Sequence, residues 1–502
     1  MSLHEITRDD ARWLGGATLT CALLVFVAFG LVGDRATSLG ELPLDDAWIH
    51  LVYARGLLRD GLPTYNDGAP EAGFSSLAWL FAELPTSLFA RVFHASPVVA
   101  SKLTSLAFAA LAAYGSGRLV RRLGKSLVLA VATVAAVSLT PGFAFSAMSG
   151  MEVTLATATI VWGWNALLDE RLWLAGLCFG LAAITRLEAT IVLAVAVAVG
   201  GRKRLPRLVA PGGLMLSVWG VYDLFVTDHP LPNTFYVKAS RAFSPANLEY
   251  FFRHVVLGNG VACAVIVTLL TLAAVAEHRR QRIVLGLFAS ALLPCVAIVR
   301  THAFSNAAFY TERYFFPFTA LIVPLAMLGV AVLPRRAHVV SLVVLGACTV
   351  PALARARESY QGHCATIRRL NSEPAWWLAA HTPPNAIVGV IDAGASRYHS
   401  GRKVIDLGGL NEHRIAHAGD PRIERCVALA SNFGWLVLPE GFLAGLRGGS
   451  IAIDERARYS VDRWWIVEPP HAATVLIAHA SAFPPNRDAC VRMLKERGID
   501  LP

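Results

Sequence analysis

Long apolar segments recur along the first 354 residues, and short polar or charged stretches separate them. An α-helix needs a run of roughly 20 apolar residues to cross a bilayer. The pattern predicts about eleven spans, at 13–33, 97–119, 126–141, 151–168, 172–185, 187–200, 208–226, 254–276, 283–299, 313–333 and 337–354. The stretch 74–93 fits either an interfacial segment or a poor span, because it contains Glu83 and Pro85.

The pattern changes from about Arg355 to Pro502. Short β-type runs appear there, bounded by Gly, Pro or charge: "NAIVGVIDAG", "KVIDLGG", "GWLVLPEG", "SIAIDE" and "YSVDRWWIVE". A helical pattern lies between such runs, around Trp376 to His381. The chain is therefore predicted to have two domains. One is a transmembrane domain at 1–354, with its first outer loop at 34–96, and the other is an α/β domain at 355–502.

Composition supports a multi-span membrane protein. The chain is 55% hydrophobic and 16% charged, with a mean hydropathy of +0.51, whereas a soluble domain is about 25% charged. The net charge of +10 does not indicate a nucleic-acid partner, because the basic residues form short clusters between apolar runs. The first apolar run is long enough to span and no signal-peptidase site follows it, which predicts a retained first helix.

The basic clusters set the predicted orientation. They lie at 118–125, 202–207, 278–282 and 335–336, and the positive-inside rule places such clusters in the cytoplasm. With all four clusters in the cytoplasm, the first outer loop and the α/β domain lie outside. The prediction is a multi-pass protein of the cell (inner) membrane whose C-terminal domain is extracytoplasmic.

Cysteine use does not indicate a metal site. Five of the eight cysteines lie in apolar segments, where Cys acts as a small hydrophobe. Cys364, Cys426 and Cys490 lie in the α/β domain, with no metal-ligand spacing. They allow one disulfide and leave one thiol over.

Two adjacent carboxylates, Asp45 and Asp46, follow the first span in "LPLDDAWIHLVYARGLLRDG" at 42–61. The apolar residues after them predict an amphipathic helix on the outer membrane surface, with both acids at its start. Aspartate is favoured as a helix cap, and a general base needs a carboxylate held close to its substrate. Capping explains one acid more easily than two, so catalysis is the preferred interpretation. Adjacent acids also suit a divalent cation.

Other candidate residues lie in the first loop or near outer ends of spans. Glu71 follows a turn in "TYNDGAPEAGFSS", which fits a functional loop or a tight turn entering a helix. Glu152 heads a span. Arg186 and Glu188 lie in an apolar stretch at a predicted helix break, where charges are costly and face a cavity or each other. They form either a structural pair or a site in which Arg186 faces a phosphate.

Two further outer segments complete the candidate set. "HPLPNTFYVKASR" at 229–241 offers Asn233, Tyr236 and Lys238, as a lipid-phosphate site or as interfacial anchors. "FYTERYFFPF" places Glu312 and Arg313 at another outer boundary, where a snorkelling arginine and a substrate-binding site fit equally well.

Seven stretches in order resemble a family of bacterial polytopic GT-C glycosyltransferases that includes the mycobacterial terminal β-(1→2)-arabinofuranosyltransferases. They are "DDAWIHLVYARGL", "YNDGAPEAGFSSLAW", "MSGMEVTL", "AAITRLEA", "PLPNTFYVK", "ERYFFPF" and "VGVIDAGASRYHSGRKVIDLGGLN". The resemblance runs nearly end to end. It departs from the family at Val52, where the family often has Arg. It also departs at Ala72, the residue before Gly73. The family usually has an acid at that position, whereas the acid of this chain, Glu71, is one residue earlier.

The resemblance implies a polyprenyl-phosphate sugar donor and a glycan or glycolipid acceptor. It implies that Asp45, by preference, or Asp46 deprotonates the acceptor hydroxyl, which attacks the anomeric carbon as polyprenyl phosphate leaves. A phosphate leaving group needs cationic stabilisation, which the outer charges would supply. In the tail, Asp392 and Asp406 belong to the matched stretch and also fit acids that simply end strands.

Two other functions remain open from the sequence. A transporter or flippase of polyprenyl-linked intermediates would share the buried charges. It would need neither a base at Asp45 nor an external domain, and no inverted repeat is evident. A non-catalytic scaffold would leave the loop acids dispensable. The sequence identifies no certain cofactor.

Overall fold

The computed structural model describes residues 5–124, 126–239, 244–257, 278–302, 308–331, 334–418, 426–427, 430, 433–441, 452–466, 471–482 and 487–497. The α-helices of these residues are Arg8–Phe26, Arg35–Gly40, Asp45–Asp60, Leu77–Val92, Pro97–Gly124, Leu127–Leu139, Pro141–Ala147, Val153–Leu168, Leu172–Thr185, Thr190–Gly200, Leu205–Thr227, Asn233–Lys238, Pro245–Tyr250, His278–Thr301, Ala308–Glu312, Phe316–Thr319, Ile322–Val330, Arg335–Ile367, Glu373–His381, Gly394–Ser400, His413–Ala416 and Arg487–Glu496. Short π-helical segments are Val27–Leu31, Phe251–Leu257 and Arg368–Ser372, and 3₁₀ turns are Leu187–Ala189 and Arg202–Arg204.

Several of these helices match the length of a membrane span. Among the described residues, four are long and apolar enough to cross a bilayer: Arg8–Leu31, Pro97–Gly124, Arg202–Thr227 and Gln281–Thr301. A fifth results if Leu127–Leu139 and Pro141–Ala147, bent by 69°, form one broken span. Shorter apolar helices are Val153–Leu168, Leu172–Thr185, Leu187–Gly200 and Phe316–Val330. The chain is thus a multi-span helical membrane protein, and the count of about eleven spans stays a prediction.

Two predicted spans have different bounds from the observed helices, and a third lies largely outside the described residues. The apolar run 313–333 is divided into Phe316–Thr319 and Ile322–Val330. Helix Arg335–Ile367 continues past residue 354, where the last predicted span ends. Its Ala, Arg and Glu residues are good helix formers, so the rise in charge there does not stop a helix. Residues 258–276 of the predicted span 254–276 lie outside the described part of the chain.

The described elements group into two compact units. The first contains Met1–Leu39, Val98–Val218 and Ser240–Tyr360. Its helix Val153–Leu168 is buried along almost its whole length. Small residues allow such helices to approach closely. At Gly163 a Cβ would come within 2.6 Å of the Phe179 ring.

The second unit contains Gly40–Pro97, Trp219–Ala239 and Gln361–Pro502. It therefore joins the predicted first loop and most of the outer loop 229–241 to the C-terminal tail. The tail forms a five-stranded sheet of order β2-β1-β3-β5-β4. Its strands are β1 (Ile387–Val390), β2 (Lys403–Asp406), β3 (Trp435–Pro439), β4 (Ala452–Trp464) and β5 (His471–Ala482).

The sheet is parallel at one side and antiparallel at the other. β1 pairs in parallel with β2 and β3, while β5 pairs antiparallel with both β3 and β4. Helix Gly394–Ser400, named here the crossover helix, connects β1 to β2. Parallel strands covered on both faces read as continuous apolar runs, as "IVGV" and "WLVLP" do.

The strand prediction was right for β1, β2 and β3 and incomplete beyond them. "SIAIDE" and "YSVDRWWIVE" supply one long strand, β4, rather than two, because the charged residues between them lie within a paired hairpin. β5 was not predicted. Cys426 and Cys490 form a disulfide and Cys364 is a buried thiol outside it, which agrees with one bridge and one thiol left over.

Candidate active site

Asp45 and Asp46 are the first two residues of helix Asp45–Asp60, named here the first-loop helix. The prediction of a helix was correct, but the helix does not leave a polar face open to solvent along its first half. Residues Ala47 to Ala54 are all buried, so the helix belongs to the core of the second unit. The sequence pattern missed this because the covering residues come from distant parts of the chain.

The Asp45 carboxylate binds the first residues of the crossover helix rather than those of its own helix. Its Oδ2 accepts the N–H of Gly394 at 2.7 Å and its Oδ1 accepts that of Ala395 at 2.9 Å. Asn371 Nδ2 lies 3.5 Å from Oδ1. Asp45 therefore caps the crossover helix, and its side chain is held in one orientation.

The protonation of Asp45 is also set by its surroundings. Asp45 is only 4% exposed. Burial and the charge of Asp392 raise its pKa well above the ordinary value, while the backbone amides of Ala395 and Gly394 act in the opposite direction. A carboxylate with a raised pKa is a stronger proton acceptor when it is ionised.

Asp46 pairs with a cation from the outer loop. Lys238 Nζ lies 3.2 Å from Asp46 Oδ2, and both side chains are partly exposed. Lys238 ends the short helix Asn233–Lys238. The structure thus brings together two predicted site residues that are 192 positions apart.

Glu71 is the centre of a second cluster in the same unit. Its Oε1 accepts from Ala72 N at 3.0 Å and Asn233 Nδ2 at 2.9 Å, and its Oε2 lies 2.9 Å from His413 Nδ1. Burial alone would raise the pKa of Glu71, but the His413 contact lowers it overall. The same hydrogen bond raises the pKa of His413.

Histidines that the sequence reasoning did not single out complete this cluster. His417 Nε2 lies 3.0 Å from Asn233 Oδ1, and its ring stacks on His229 and meets Tyr236 edge-on. The segment "NEHRIAH" at 411–417 was a signal for such a cluster. Its partners are too distant in sequence for the pattern to show them.

One group in this cluster has the donor types of a metal site. Glu71, Glu412 and His413 each place one potential ligand atom within 4.8 Å of the others. Glu71 and His413 also bind each other, and Arg414 binds Glu412. Within the described residues these contacts account for the arrangement without an ion. The grouping does not include Asp45 and Asp46, where the sequence suggested a cation.

The remaining candidates lie in the first unit. Arg186, in extended backbone between two helices, binds Glu152 at 2.7 Å and lies 3.7 Å from Glu188. Arg186 and Arg313 both lie over the Tyr314 ring, at 4.5 and 5.4 Å. The predicted helix break at Arg186 was correct, and its shorter ion pair is with Glu152 rather than Glu188.

Glu188 and Glu312 differ in their surroundings within that unit. Glu188 also pairs with His302 at 3.2 Å. Glu312 ends helix Ala308–Glu312 and is half-buried. The first unit thus places Arg186 and Arg313 over one aromatic ring, with Glu152 and Glu188 beside Arg186.

Sequence comparisons assign no activity. A family model described as a domain of unknown function (DUF8728) matches residues 356–482, which is less than half of the chain. No curated protein matches the sequence.

Solved structures share the fold over nearly the whole chain. ArnT from Cupriavidus metallidurans bound to undecaprenyl phosphate matches with a TM-score of 0.60 at 15% identity, covering 91% of this chain and 97% of ArnT. This chain has a GT-C fold. The Archaeoglobus fulgidus oligosaccharyltransferase AglB, in complex with an inhibitory peptide and a dolichol-phosphate, matches with a TM-score of 0.57 at 12% identity. That match covers 86% of this chain and 70% of AglB.

The GT-C fold confirms the predicted fold class of a multi-span helical domain with a C-terminal sheet domain. It agrees with the coarse part of the sequence resemblance. A shared fold does not show that the chain belongs to the arabinofuranosyltransferase branch of that family.

Proposed function

We propose that this chain is an integral-membrane glycosyltransferase. It moves a sugar from a polyprenyl-phosphate donor to a cell-envelope glycan at the outer face of the inner membrane. The GT-C fold supports this class, and structures of ArnT and AglB contain undecaprenyl phosphate and dolichol-phosphate. The resemblance to terminal arabinofuranosyltransferases supports a pentofuranose as the sugar.

One observation carries the proposal. Asp45 and Asp46 begin a buried helix, Asp45 is fixed by two backbone amides, and Asp46 pairs with Lys238. Sugar transfer from a lipid phosphate needs a proton acceptor for the attacking hydroxyl and a cation for the leaving phosphate. The second unit holds both kinds of group next to each other.

Asp45 is the proposed base. It takes the proton of the acceptor hydroxyl while that oxygen forms a bond to the anomeric carbon of the donor sugar. The bond from the anomeric carbon to the phosphate oxygen breaks, and polyprenyl phosphate leaves with the electron pair. Lys238 of the same unit is the proposed cation for the phosphate, and Arg186 and Arg313 of the first unit are the alternative candidates from the sequence.

The test compares Asp45→Asn, Asp46→Asn and Asp406→Asn in purified full-length protein, assayed with a polyprenyl-phosphate sugar and a glycan acceptor. Asp45→Asn places an NH₂ group against a backbone donor, so it should lose stability as well as the base. Asp406 is a matched control, because its buried carboxylate also accepts backbone amides, those of Gly408 and Asn411.

We expect Asp45→Asn and Asp406→Asn to melt at a lower temperature than wild type. Asp45→Asn should also lose about 10²- to 10⁴-fold in turnover per folded molecule. Asp46→Asn should lose less, and Asp406→Asn should keep its turnover. In wild type, kcat/KM should fall on acidification at a higher pH than an ordinary aspartate would give, because the pKa of Asp45 is raised. Near-normal turnover in Asp45→Asn, Asp46→Asn and the double variant would end the mechanism.

A further inference from the structure

Two aspartates of the tail stand at equivalent ends of neighbouring parallel strands. Asp406 is the last residue of β2 and pairs in register with Val390, the last residue of β1. Asp392 follows two residues later in the chain. In the sequence both acids fit residues that end strands, whereas in the structure their surroundings differ.

Asp406 serves its own turn. It is 0% exposed. Its carboxylate accepts the N–H of Gly408 at 2.9 Å, the N–H of Asn411 at 2.9 Å and the side-chain amide of Asn411 at 2.8 Å. These contacts account fully for an acid at that position.

Asp392 is solvent-exposed, unlike Asp406. Its pKa is nevertheless raised by the protein around it, with Asn371 opposing that shift through a hydrogen bond. Asp392 follows the carboxyl end of β1, beside the point where the strand order reverses between β1 and β3. In open α/β sheets, ligands bind outside the carboxyl ends of the strands at such a point.

The groups around Asp392 are those of the proposed active site. The charges of Asp45 and Asp46 both act on Asp392. Asn371 donates a hydrogen bond to Asp392 and lies 3.5 Å from Asp45 Oδ1. The Asp45 carboxylate also fixes Gly394, two residues after Asp392. All of these residues belong to the second unit.

The charge of Asp392 bears on its ligand. Its carboxylate repels a phosphate group, because like charges at short range are unfavourable, so the phosphate is left to the proposed cation Lys238. A sugar hydroxyl is neutral and donates a hydrogen bond, and bonds from neutral donors to a carboxylate are stronger than those between neutral groups. An exposed carboxylate held by an amide is therefore suited to a hydroxyl rather than to the lipid phosphate.

We propose that Asp392 binds a hydroxyl group of a substrate sugar, so that the C-terminal domain contributes a substrate contact to the active site. This role rests on the glycosyltransferase function proposed above. The hydroxyl belongs either to the acceptor glycan or to the sugar of the donor, since the chemistry is the same.

Steady-state kinetics of full-length Asp392→Asn, with donor and acceptor varied separately, tests this role. Loss of a charge-assisted hydrogen bond should raise one KM by about 10- to 100-fold. The kcat should stay within about threefold, as for an interaction made equally in the ground and transition states. A rise in acceptor KM identifies the acceptor hydroxyl, and a rise in donor KM identifies the donor sugar.

Asp406→Asn is the control. It should lower the melting temperature and leave both KM values unchanged. The proposal is overturned if Asp392→Asn keeps both KM values, if it lowers kcat alone, or if Asp406→Asn raises the same KM. Wild-type protein that transfers no sugar overturns the proposed function and this role with it. Transfer by wild type but not by Asp45→Asn supports the function independently of Asp392.

Discussion

At the scale of single residues, Glu71 shows the limit of local sequence patterns. Its place after a turn fitted either a functional loop or a tight turn, and in the structure its carboxylate is bound by Ala72, Asn233 and His413. The last two partners lie 162 and 342 positions away. The first effect of Glu71 is therefore to join three segments of the second unit.

The Glu71–His413 pair should give a pH-dependent stability. The pKa of His413 is raised above its ordinary 6.5, so its contribution is present below about pH 6.5 and is lost as pH rises through the folded value. The pKa of Glu71 is lowered below 4.5, so its contribution is lost only as pH falls through that lower value. The pair should stabilise most between these limits, by no more than about 1 kcal/mol because His413 is partly exposed.

Thermal unfolding of wild type and His413→Asn from pH 5 to pH 9 checks this expectation. The asparagine amide can replace the Nδ1 donor but carries no charge. The difference in melting temperature should be largest near the acidic end and shrink above neutrality. A difference that is constant across this range would show that charge plays no part.

The donor phosphate provides a second prediction at this scale. Arg186→Ala removes one partner of the buried Glu152, and breaking a buried ion pair typically costs about 3–5 kcal/mol. The double variant Arg186→Gln with Glu152→Gln is therefore the informative one, alongside Lys238→Ala and Arg313→Ala. At least one of the three cations should raise donor KM by about 10- to 100-fold when it is removed. Unchanged donor kinetics in all of them would contradict the phosphate assignment.

At the scale of elements, the first-loop helix and the crossover helix approach closely at a glycine. A Cβ on Gly394 would lie 2.1 Å from the Asp45 carbonyl oxygen and 2.9 Å from the Trp48 Cβ. The sequence predicted the first helix from its apolar spacing and a β-type run at "NAIVGVIDAG". It could not show that these two segments meet, because helix contacts depend on tertiary packing.

Gly394→Ala should therefore separate the two helices. We expect it to destabilise the protein by about 1–3 kcal/mol, as overpacking does, and to reduce transfer because Asp45 loses its fixed position. Gly434→Ala is the control, since no atom lies within 4 Å of its Cβ position. Thermal unfolding and turnover of both variants test this, and equal stability of the two would contradict the close approach.

At the scale of the whole molecule, composition and periodicity were enough for the fold class. Apolar runs predicted helices such as Leu172–Thr185 and Val153–Leu168 within two residues of their observed ends. Short β-type runs predicted the tail sheet. The pairing of first loop, outer loop and tail into one unit was beyond the sequence, because each contact joins residues hundreds of positions apart.

The orientation of the chain in the membrane gives a prediction at this scale. The basic clusters predict that the tail lies outside and that the Lys203 region lies in the cytoplasm. A reporter active only outside the cytoplasm should be active when fused after Pro502 and silent when fused near Lys203. The reverse result would move the proposed active site to the wrong compartment.

The Asp45 cap has a consequence for biogenesis. Asp45 leaves the ribosome early, but its hydrogen-bond donors follow 349 and 350 positions later. At roughly 5–20 residues per second, translation separates the two by about 20–70 s. Throughout that interval the nascent chain carries the proposed base without the groups that orient it. Products of premature stop codons upstream of Gly394 would insert into the membrane and still be inert toward the lipid-linked sugar pool.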